Sequence, residues 1–265
     1  MTSLWERVLK LDAVNNFRDY GGWRAGDGGR VVTGKLFRCA HLARASAADV
    51  ERIGQLGILT VTDLRHPSEQ REQPSAWIGT LPLDVIEAGE EHEGVRGEAP
   101  HMIAFRQSDF SHDAMRDFMT RHYGEMPYDP RHITMYGRYF DVLASQDGGM
   151  LIHCAAGKDR TGILAALTHH VLGVHPDDAM EDYLLSNTAC NIVDRLPHLR
   201  QRMEEQYGRA IAEEAMHALL TVNPGYMARC WAALEEKSGS IDGYLTTVLG
   251  VDEGKRQRIR ERLLT

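Results

Sequence analysis

The sequence predicts an α/β chain, a central sheet flanked by helices, running into a helix-rich C-terminal half. Three observations predict it. Short apolar runs at Ile58 to Thr62, Leu83 to Ile86 and Met150 to His153 read as buried strands. Val50, Ile53 and Leu56 recur at helical spacing just before the first of these runs, and Thr161-Gly162-Ile163-Leu164-Ala165-Ala166-Leu167 opens a buried helix just after the last. From Thr161 onward nearly every segment reads as helix.

Taken in order, Gly21, Gly22, Gly26, Gly28, Gly29 and Gly34 bracket Trp23-Arg24 and Arg30-Val31-Val32, which predicts a small hairpin. Ser46 with Asp49 has the spacing of a helix start, and Gly57 ends that helix directly before the strand at Ile58. The polar stretch Gly89 to Pro100, rich in Glu, Gly and His, is expected to be a mobile loop. Phe105 to Tyr128 carries Phe110, Met115, Phe118, Met119, Tyr123, Met126 and Tyr128, partly at helical spacing, and reads either as plain core or as a lid. Pro176, Pro197 and Pro224 are expected to mark helix breaks or starts. In Lys255 to Arg262, Ile259 and the following Leu263 alternate with arginines, as in a terminal amphipathic helix with a solvated face. The whole chain, residues 1–265, is expected to form one domain, with about 88–128 as a mobile or lid insertion.

Composition narrows the function. At 265 residues, 43% hydrophobic and 26% charged, the chain can bury one large core. Its net charge of −8 argues against non-specific binding to nucleic acid or to anionic membranes, which need broad basic surfaces. No run of 18 apolar residues could span a bilayer, and Met1 to Arg18 carries Glu6, Arg7, Lys10 and Asp12 rather than the apolar core of a signal peptide. The cytoplasm is the expected location. The four Cys lie far apart, without the spacing of a disulfide framework or a zinc site. The thirteen His show no His-Glu-x-x-His pattern, so neither metal nor cofactor is expected. No oligomeric state is implied.

The most informative stretch is His153-Cys154-Ala155-Ala156-Gly157-Lys158-Asp159-Arg160-Thr161-Gly162. It falls between the last strand and the helix that follows, where free backbone N–H groups and the positive helix end favour anions. A thiol of ordinary pKa about 8.5 becomes a nucleophilic thiolate beside a helix N-terminus and a cation. Arg160, six positions after Cys154, can hold two phosphoryl oxygens with its planar fork, which a Lys cannot do. Ala155, Ala156 and Gly157 offer N–H groups without bulky side chains, so a tetrahedral dianion can rest on the main chain. Sulfur attack on phosphorus would give a phosphocysteine that water hydrolyses. Thr161 could donate its hydroxyl to the sulfur as it leaves. With four Cys and 25 Arg in the chain, the Cys-to-Arg spacing alone is weak evidence; the full string between an apolar strand and an apolar helix is strong.

That string resembles the cysteine-dependent phosphatases with a His-Cys-x5-Arg-Thr loop, and within them an atypical bacterial branch of tyrosine and lipid phosphatases with His-Cys-x-Ala-Gly-Lys-Asp-Arg-Thr-Gly. Asn16-Phe17-Arg18-Asp19-Tyr20-Gly21-Gly22, Leu36-Phe37-Arg38-Cys39, Leu56-Gly57-Ile58, Thr62-Asp63-Leu64-Arg65 and Asp182-Tyr183-Leu184-Leu185-Ser186-Asn187 also resemble that branch, in its order. So does Gly239-Ser240 followed by Tyr244-Leu245. The resemblance is weakest from about Gly89 to Glu125. It implies a protein-tyrosine-phosphatase-like fold with a mostly parallel central sheet, and a phosphoprotein or phosphoinositide substrate. It also implies that some members act outside the producing cell without a recognisable signal.

None of the four Trp is followed by Pro-Asp, the acid-bearing loop of many tyrosine phosphatases. Asp159, within the loop, is then the first candidate for the acid that protonates the leaving oxygen, as the resemblance implies; the plainer alternative is an ionised partner of Arg160 or Lys158. Asp63, ending the strand Ile58 to Thr62, is the second candidate, with a structural brace as its plainer reading. Lys158 would suit a substrate with more than one phosphate, or is a solvated rim charge. His153 stands behind the nucleophile as a buried polar support. The reading is a phosphomonoester hydrolase acting on phosphotyrosine, with phosphoserine, phosphothreonine or phosphoinositides as further substrates. The competing class is a phosphate-binding module that keeps the cradle and lacks turnover. A sulfur-transfer protein would give Arg160 and Thr161 no purpose.

Overall fold

Where the strands lie decides where the candidate loop can sit. A computed structural model describes residues 7–77, 80–89 and 108–265. Its strands are β1 (Arg18–Asp19), β2 (Leu36–Cys39), β3 (Ile58–Asp63), β4 (Asp84–Glu87) and β5 (Gly149–His153). They form one sheet in the order β1-β2-β5-β3-β4, with only the β1-β2 pairing antiparallel. β5 is central, and all five of its residues are buried. A parallel strand covered on both faces reads as an unbroken apolar run, which is why Met150-Leu151-Ile152 is legible in the sequence.

Side chains alternate across the sheet and separate two cores. Leu36, Met150 and Ile152 join the larger one, with Leu164 and Leu167 of the following helix; Phe37, Val61 and Leu151 join the smaller, with Ile53 and Trp77. Each fully buried side chain of this size contributes roughly 1.5–3 kcal/mol.

The helices are α1 (Ala47–Gly54), α2 (Pro67–Glu72), α3 (His112–Glu125), α4 (Pro130–Leu143), α5 (Arg160–Val171), α6 (Pro176–Ala189), α7 (Ile192–Tyr207), α8 (Glu213–Leu220), α9 (Pro224–Ser238), α10 (Ile241–Thr247) and α11 (Glu253–Leu263). A 3-10 turn, Met126–Tyr128, links α3 to α4. Helix α1 starts as its sequence predicts: the Ser46 hydroxyl accepts from the Asp49 N–H at 3.1 Å, and the Asp49 carboxylate accepts from the Ser46 N–H at 3.1 Å. Gly57, at φ 66°, turns the chain from the helix into β3. Helix α5 is buried on nearly every side, from Thr161 to Val171 with His170 the exception, so its N-terminus is fixed at the end of β5.

Three other expectations meet the structure as follows. The N-terminal hairpin is real but minimal: the Val31 N–H donates to the Trp23 carbonyl at 2.8 Å, Arg24 bridges Arg30, and Val31 bridges Leu264 near the chain end. Pro176 and Pro224 sit in the first turns of α6 and α9. Pro197 neither breaks nor starts a helix, which corrects that expectation, because it lies inside α7. The carbonyl it leaves without a donor belongs to Val193, a residue 77% exposed, so water can satisfy it.

Residues 90–107, which include most of the expected mobile loop and the start of the expected lid, lie outside the described residues. In the described remainder, Phe110, Met115, Phe118, Met119, Tyr123 and Met126 are buried in the larger core, and Tyr128 packs against it half-buried. Ile259 and Leu263 of α11 are buried as their spacing predicts. Among the described residues, no helix is long and apolar enough to cross a membrane.

Candidate active site

The loop from Cys154 to Asp159 leaves the C-terminal end of β5 and enters α5, and its shape is set by what holds its carbonyls. The His41 N–H donates to the Ala155 carbonyl at 3.1 Å. Asn16 Nδ2 donates to the carbonyls of Ala156 at 3.2 Å and Gly157 at 2.8 Å, and Arg38 Nη2 donates to Gly157 at 2.9 Å. In a trans peptide the N–H points opposite to the C=O. Drawing these carbonyls outward therefore turns the N–H groups that follow them toward the concave side of the loop, where they can take an anion. Gly157, at φ 69°, is required here: a Cβ would stand 2.1 Å from the Cys39 carbonyl oxygen. Cys154, at the start of the turn, is 2% exposed.

Beneath the loop lies a sealed ion cluster. Arg18 Nε donates to Asp182 Oδ1 at 3.0 Å, and Arg38 Nη1 donates to Asp182 Oδ2 at 2.7 Å; both guanidinium side chains are 0% exposed. Arg18 Nη2 also reaches the Asp182 carbonyl at 2.9 Å and Ser186 Oγ at 3.1 Å. Burial drags the Arg18 guanidinium down to about 10, helped by the like charge of Arg38 and opposed by Asp182. Burial works against the Asp182 carboxylate as well, but Arg18 and then Arg38 outweigh it and hold it ionised. Three of the segments that carried the resemblance thus converge on the underside of one loop.

The mouth is built differently. Arg160 Nη1 donates to the Leu64 carbonyl at 3.1 Å and to Glu69 Oε2 at 2.6 Å, while Nη2 donates to Glu69 Oε1 at 3.0 Å. Burial opposes the guanidinium charge, yet Glu69 and then Cys154 raise its pKa above the usual arginine value. One edge of the fork is therefore taken. The other edge, Nε–H and the second Nη2–H, has no acceptor among the described residues. Asp159 accepts from the Tyr123 hydroxyl at 2.7 Å and from Lys158 Nζ at 2.9 Å, and Lys158 also donates to the Leu219 carbonyl at 3.0 Å. Tyr183 donates in turn to the Tyr123 hydroxyl at 2.7 Å. Burial first, and then the charge of Asp159, push the Tyr123 phenol well up, so it stays a donor.

Each expected site residue has a definite place. Cys154, Ala155, Ala156, Gly157, Lys158, Asp159, Arg160 and Thr161 form one continuous turn. The Thr161 hydroxyl is buried and has no partner among the described residues. His153 is fully buried: its Nδ1 lies 3.5 Å from the Cys154 carbonyl and 3.7 Å from Asp63 Oδ1, and burial lowers its pKa. Asp63 is gripped by Arg65 through Nε to Oδ1 at 2.9 Å and Nη2 to Oδ2 at 2.7 Å. Burial disfavours the Asp63 charge, but His153 and Arg65 outweigh it and keep the carboxyl below its ordinary range. Lys158 is 5% exposed and paired, so it is not a solvated rim charge.

Sequence reasoning missed Glu69 and Tyr123. Glu69 carried a visible signal as the third residue after His66, whose N–H it accepts at 2.7 Å in a capping box, but nothing local joined it to Arg160. Two cavities flank the loop. One of about 560 Å3 reaches Arg160 from α3 and α4, past Phe118, Met126 and Met135; one of about 610 Å3 borders Ala155, Ala156 and Lys158 on the α7 side.

A family model described as the tyrosine phosphatase family matches residues 9–265. A Cupriavidus necator protein named as a candidate tyrosine-protein phosphatase is 32% identical over 259 residues, covering 92% of this chain and 85% of that protein. The triple specificity protein phosphatase PtpB of Mycobacterium tuberculosis is 28% identical over 285 residues, covering 97% and 99%. A tyrosine-protein phosphatase of Nostoc commune is 26% identical over 230 residues, covering 85% and 73%.

Proposed function

The chain belongs to the tyrosine phosphatase family and is a phosphatase, and we propose that it acts through a phosphocysteine on Cys154. The observation that carries this reading is the half-occupied fork of Arg160. Glu69 fixes one edge of the guanidinium, and the edge left open has the two-pronged geometry that phosphoryl oxygens fit. The loop N–H groups meet the remaining oxygens.

In the first step the Cys154 thiolate attacks phosphorus, the ester P–O bond breaks, and Asp159 gives its proton to the departing oxygen. In the second step water attacks the phosphocysteine, Asp159 takes the water's proton, the S–P bond breaks, and inorganic phosphate leaves. Thr161, its hydroxyl buried without another partner among the described residues, donates to the sulfur as it departs. Lys158 and Tyr123 fix the Asp159 carboxyl beside the loop, where it gives its proton in the first step and regains one in the second. Asp63 is assigned to bracing: its bidentate hold on Arg65 and its lowered pKa leave no proton to deliver. Its carboxylate sets Arg65 and, through His153, the base of the loop.

The substrate class is phosphotyrosine in proteins, with phosphoserine and phosphothreonine beside it. The match to nearly all of a relative named for triple specificity supports that breadth. The phosphoinositide alternative rests on Lys158 as a second cation and on the resemblance, and that ammonium donates to Asp159 and to the Leu219 carbonyl. The chain works as one phosphatase domain, since Asn16 donates to the turn directly and Asp182, far along the sequence, holds the Arg38 that donates to it. Cys154→Ser should release no phosphate from p-nitrophenyl phosphate while still binding inorganic phosphate in calorimetry. Acid-quenched wild-type enzyme given labelled substrate should carry phosphate on Cys154. Turnover by the Ser variant, or label on another residue, would break the assignment.

A further inference from the structure

The cavity of about 610 Å3 beside the loop carries charge of the opposite sign to the chain. In a protein of net charge −8, Arg44, Arg65, Lys158, Arg195 and Arg202 line it, against only Glu69 and Glu72 among the described residues. Arg65 is neutralised by Asp63 and Lys158 by Asp159, and Glu69 is bound to Arg160. What remains is three guanidiniums against one carboxylate. Arg44 and Arg202 have no hydrogen bond or ion pair among the described residues, and Arg195 donates only to the Cys190 carbonyl, at 3.3 Å. The field is felt by a neighbour: His41, on the same wall, is held down to about 4, first by burial and then by Arg65, His153, Arg44 and Arg195.

The arginines are laid out in a line rather than around a point. Arg195 and Arg202 are seven residues apart on α7, two turns along one face, which spaces them by about 10 Å, with Leu199 between them on the cavity wall. An extended peptide covers that distance in about three residues. A compact polyphosphate would need its cations to converge; a row of cations broken by an apolar residue matches acidic side chains spaced along a strand.

We propose that this cavity is a subsite for the acidic residues that flank the phosphorylated residue of a protein substrate, with Arg44, Arg195 and Arg202 as the specificity-determining groups. The inference rests on the catalytic reading of the loop above, and its test separates the two. The readout is the ratio of kcat/KM for a phosphotyrosyl peptide with flanking Asp and Glu to that for the same peptide with flanking Ala. In the wild type the ratio should be at least about fivefold at low salt and shrink as ionic strength rises. It should fall toward one in Arg44→Ala/Arg202→Ala, and Arg202→Glu should favour a peptide with flanking Lys.

The same two peptides titrated into Cys154→Ser protein read the subsite by affinity even if turnover is absent. If neither peptide nor p-nitrophenyl phosphate is hydrolysed but the affinity ratio persists, the catalytic reading fails and the subsite stands. A wild-type ratio near one, or a ratio that the variants leave unmoved, overturns the subsite. So does loss of turnover of a dispersed short-chain phosphatidylinositol bisphosphate with the peptide ratio intact, which would give the cavity to a lipid headgroup.

Discussion

The underside and the mouth of the phosphate loop are made of the same residue types and behave as opposites. Below, Arg18 and Arg38 share Asp182 in a cluster whose side chains are 0%, 0% and 2% exposed. Above, Arg160 shares Glu69 with 11% and 20% exposure, and Lys158 shares Asp159 with 6% and 20%. A sealed cluster cannot exchange partners, because uncovering one buried charge costs several kcal/mol. A pair at the edge of a cavity can pass its contacts to an incoming dianion, since water and substrate both reach it. The same guanidinium is sealed in one place and open to exchange in the other, and burial decides which.

The comparison can be broken at its sealed end first. Asp182→Asn leaves two buried guanidiniums without a counter-charge and should lower stability by on the order of 3–5 kcal/mol, read as a drop in the denaturant midpoint. A midpoint within experimental scatter of wild type would mean the cluster is not sealed. At the mouth, Arg160→Lys should keep the fold and lose about 10²–10³ in kcat/KM, because a point charge cannot replace a two-edged fork. Comparable activity in that variant would remove the reason for the open edge.

A smaller effect concerns the wall of the mouth. Burial pulls His132, packed against the 3-10 turn with Nδ1 2.8 Å from the Met126 carbonyl, down to about 4. Between pH of about 6.5 and 4 the unfolded chain takes up a proton that the folded chain refuses, so unfolding is favoured as the pH falls. Stability from this group is complete above about pH 6.5 and declines toward pH 4 by on the order of 3 kcal/mol. Melting curves across that range should show the slope, and His132→Gln should flatten it. A slope unchanged by the substitution would assign it to other groups. The smallest effect is expected at Glu69→Gln, which keeps a carbonyl for the His66 N–H but loosens Arg160. Its kcat/KM should drop about tenfold with little change in melting temperature; a large loss of stability instead would make Glu69 a rivet like Asp182.

Much of this was legible where the physics is local. The strand and helix around Cys154, the Ser46 cap and the buried face of α11 each depend on residues within a few positions of one another. Pro197 shows the limit of local rules. Proline is disfavoured inside a helix, yet the cost vanishes into solvent at an exposed turn, which the sequence does not display. Asp63 shows another limit. Its place at a strand end fits an acid or a brace equally, and the bidentate contact with Arg65 that bears on the choice appears only in the folded chain. Arg18, Arg38 and Asp182 stood in segments that resembled a family, but the role of each was invisible because the partners lie 164 and 144 positions apart.

By itself the sequence pointed to a candidate nucleophile and guanidinium and predicted the strand-loop-helix that presents them, because a phosphate cradle needs its backbone amides, thiol and arginine within one turn of chain. Tertiary structure alone decided which charges are sealed and which remain exchangeable. It closed Arg160 on Glu69 across 91 positions and turned Tyr123 onto Asp159 across 36. Solvent exclusion is a property of packed surfaces rather than of residue order, so the division between sealed and exchangeable charges appears only once the chain has folded.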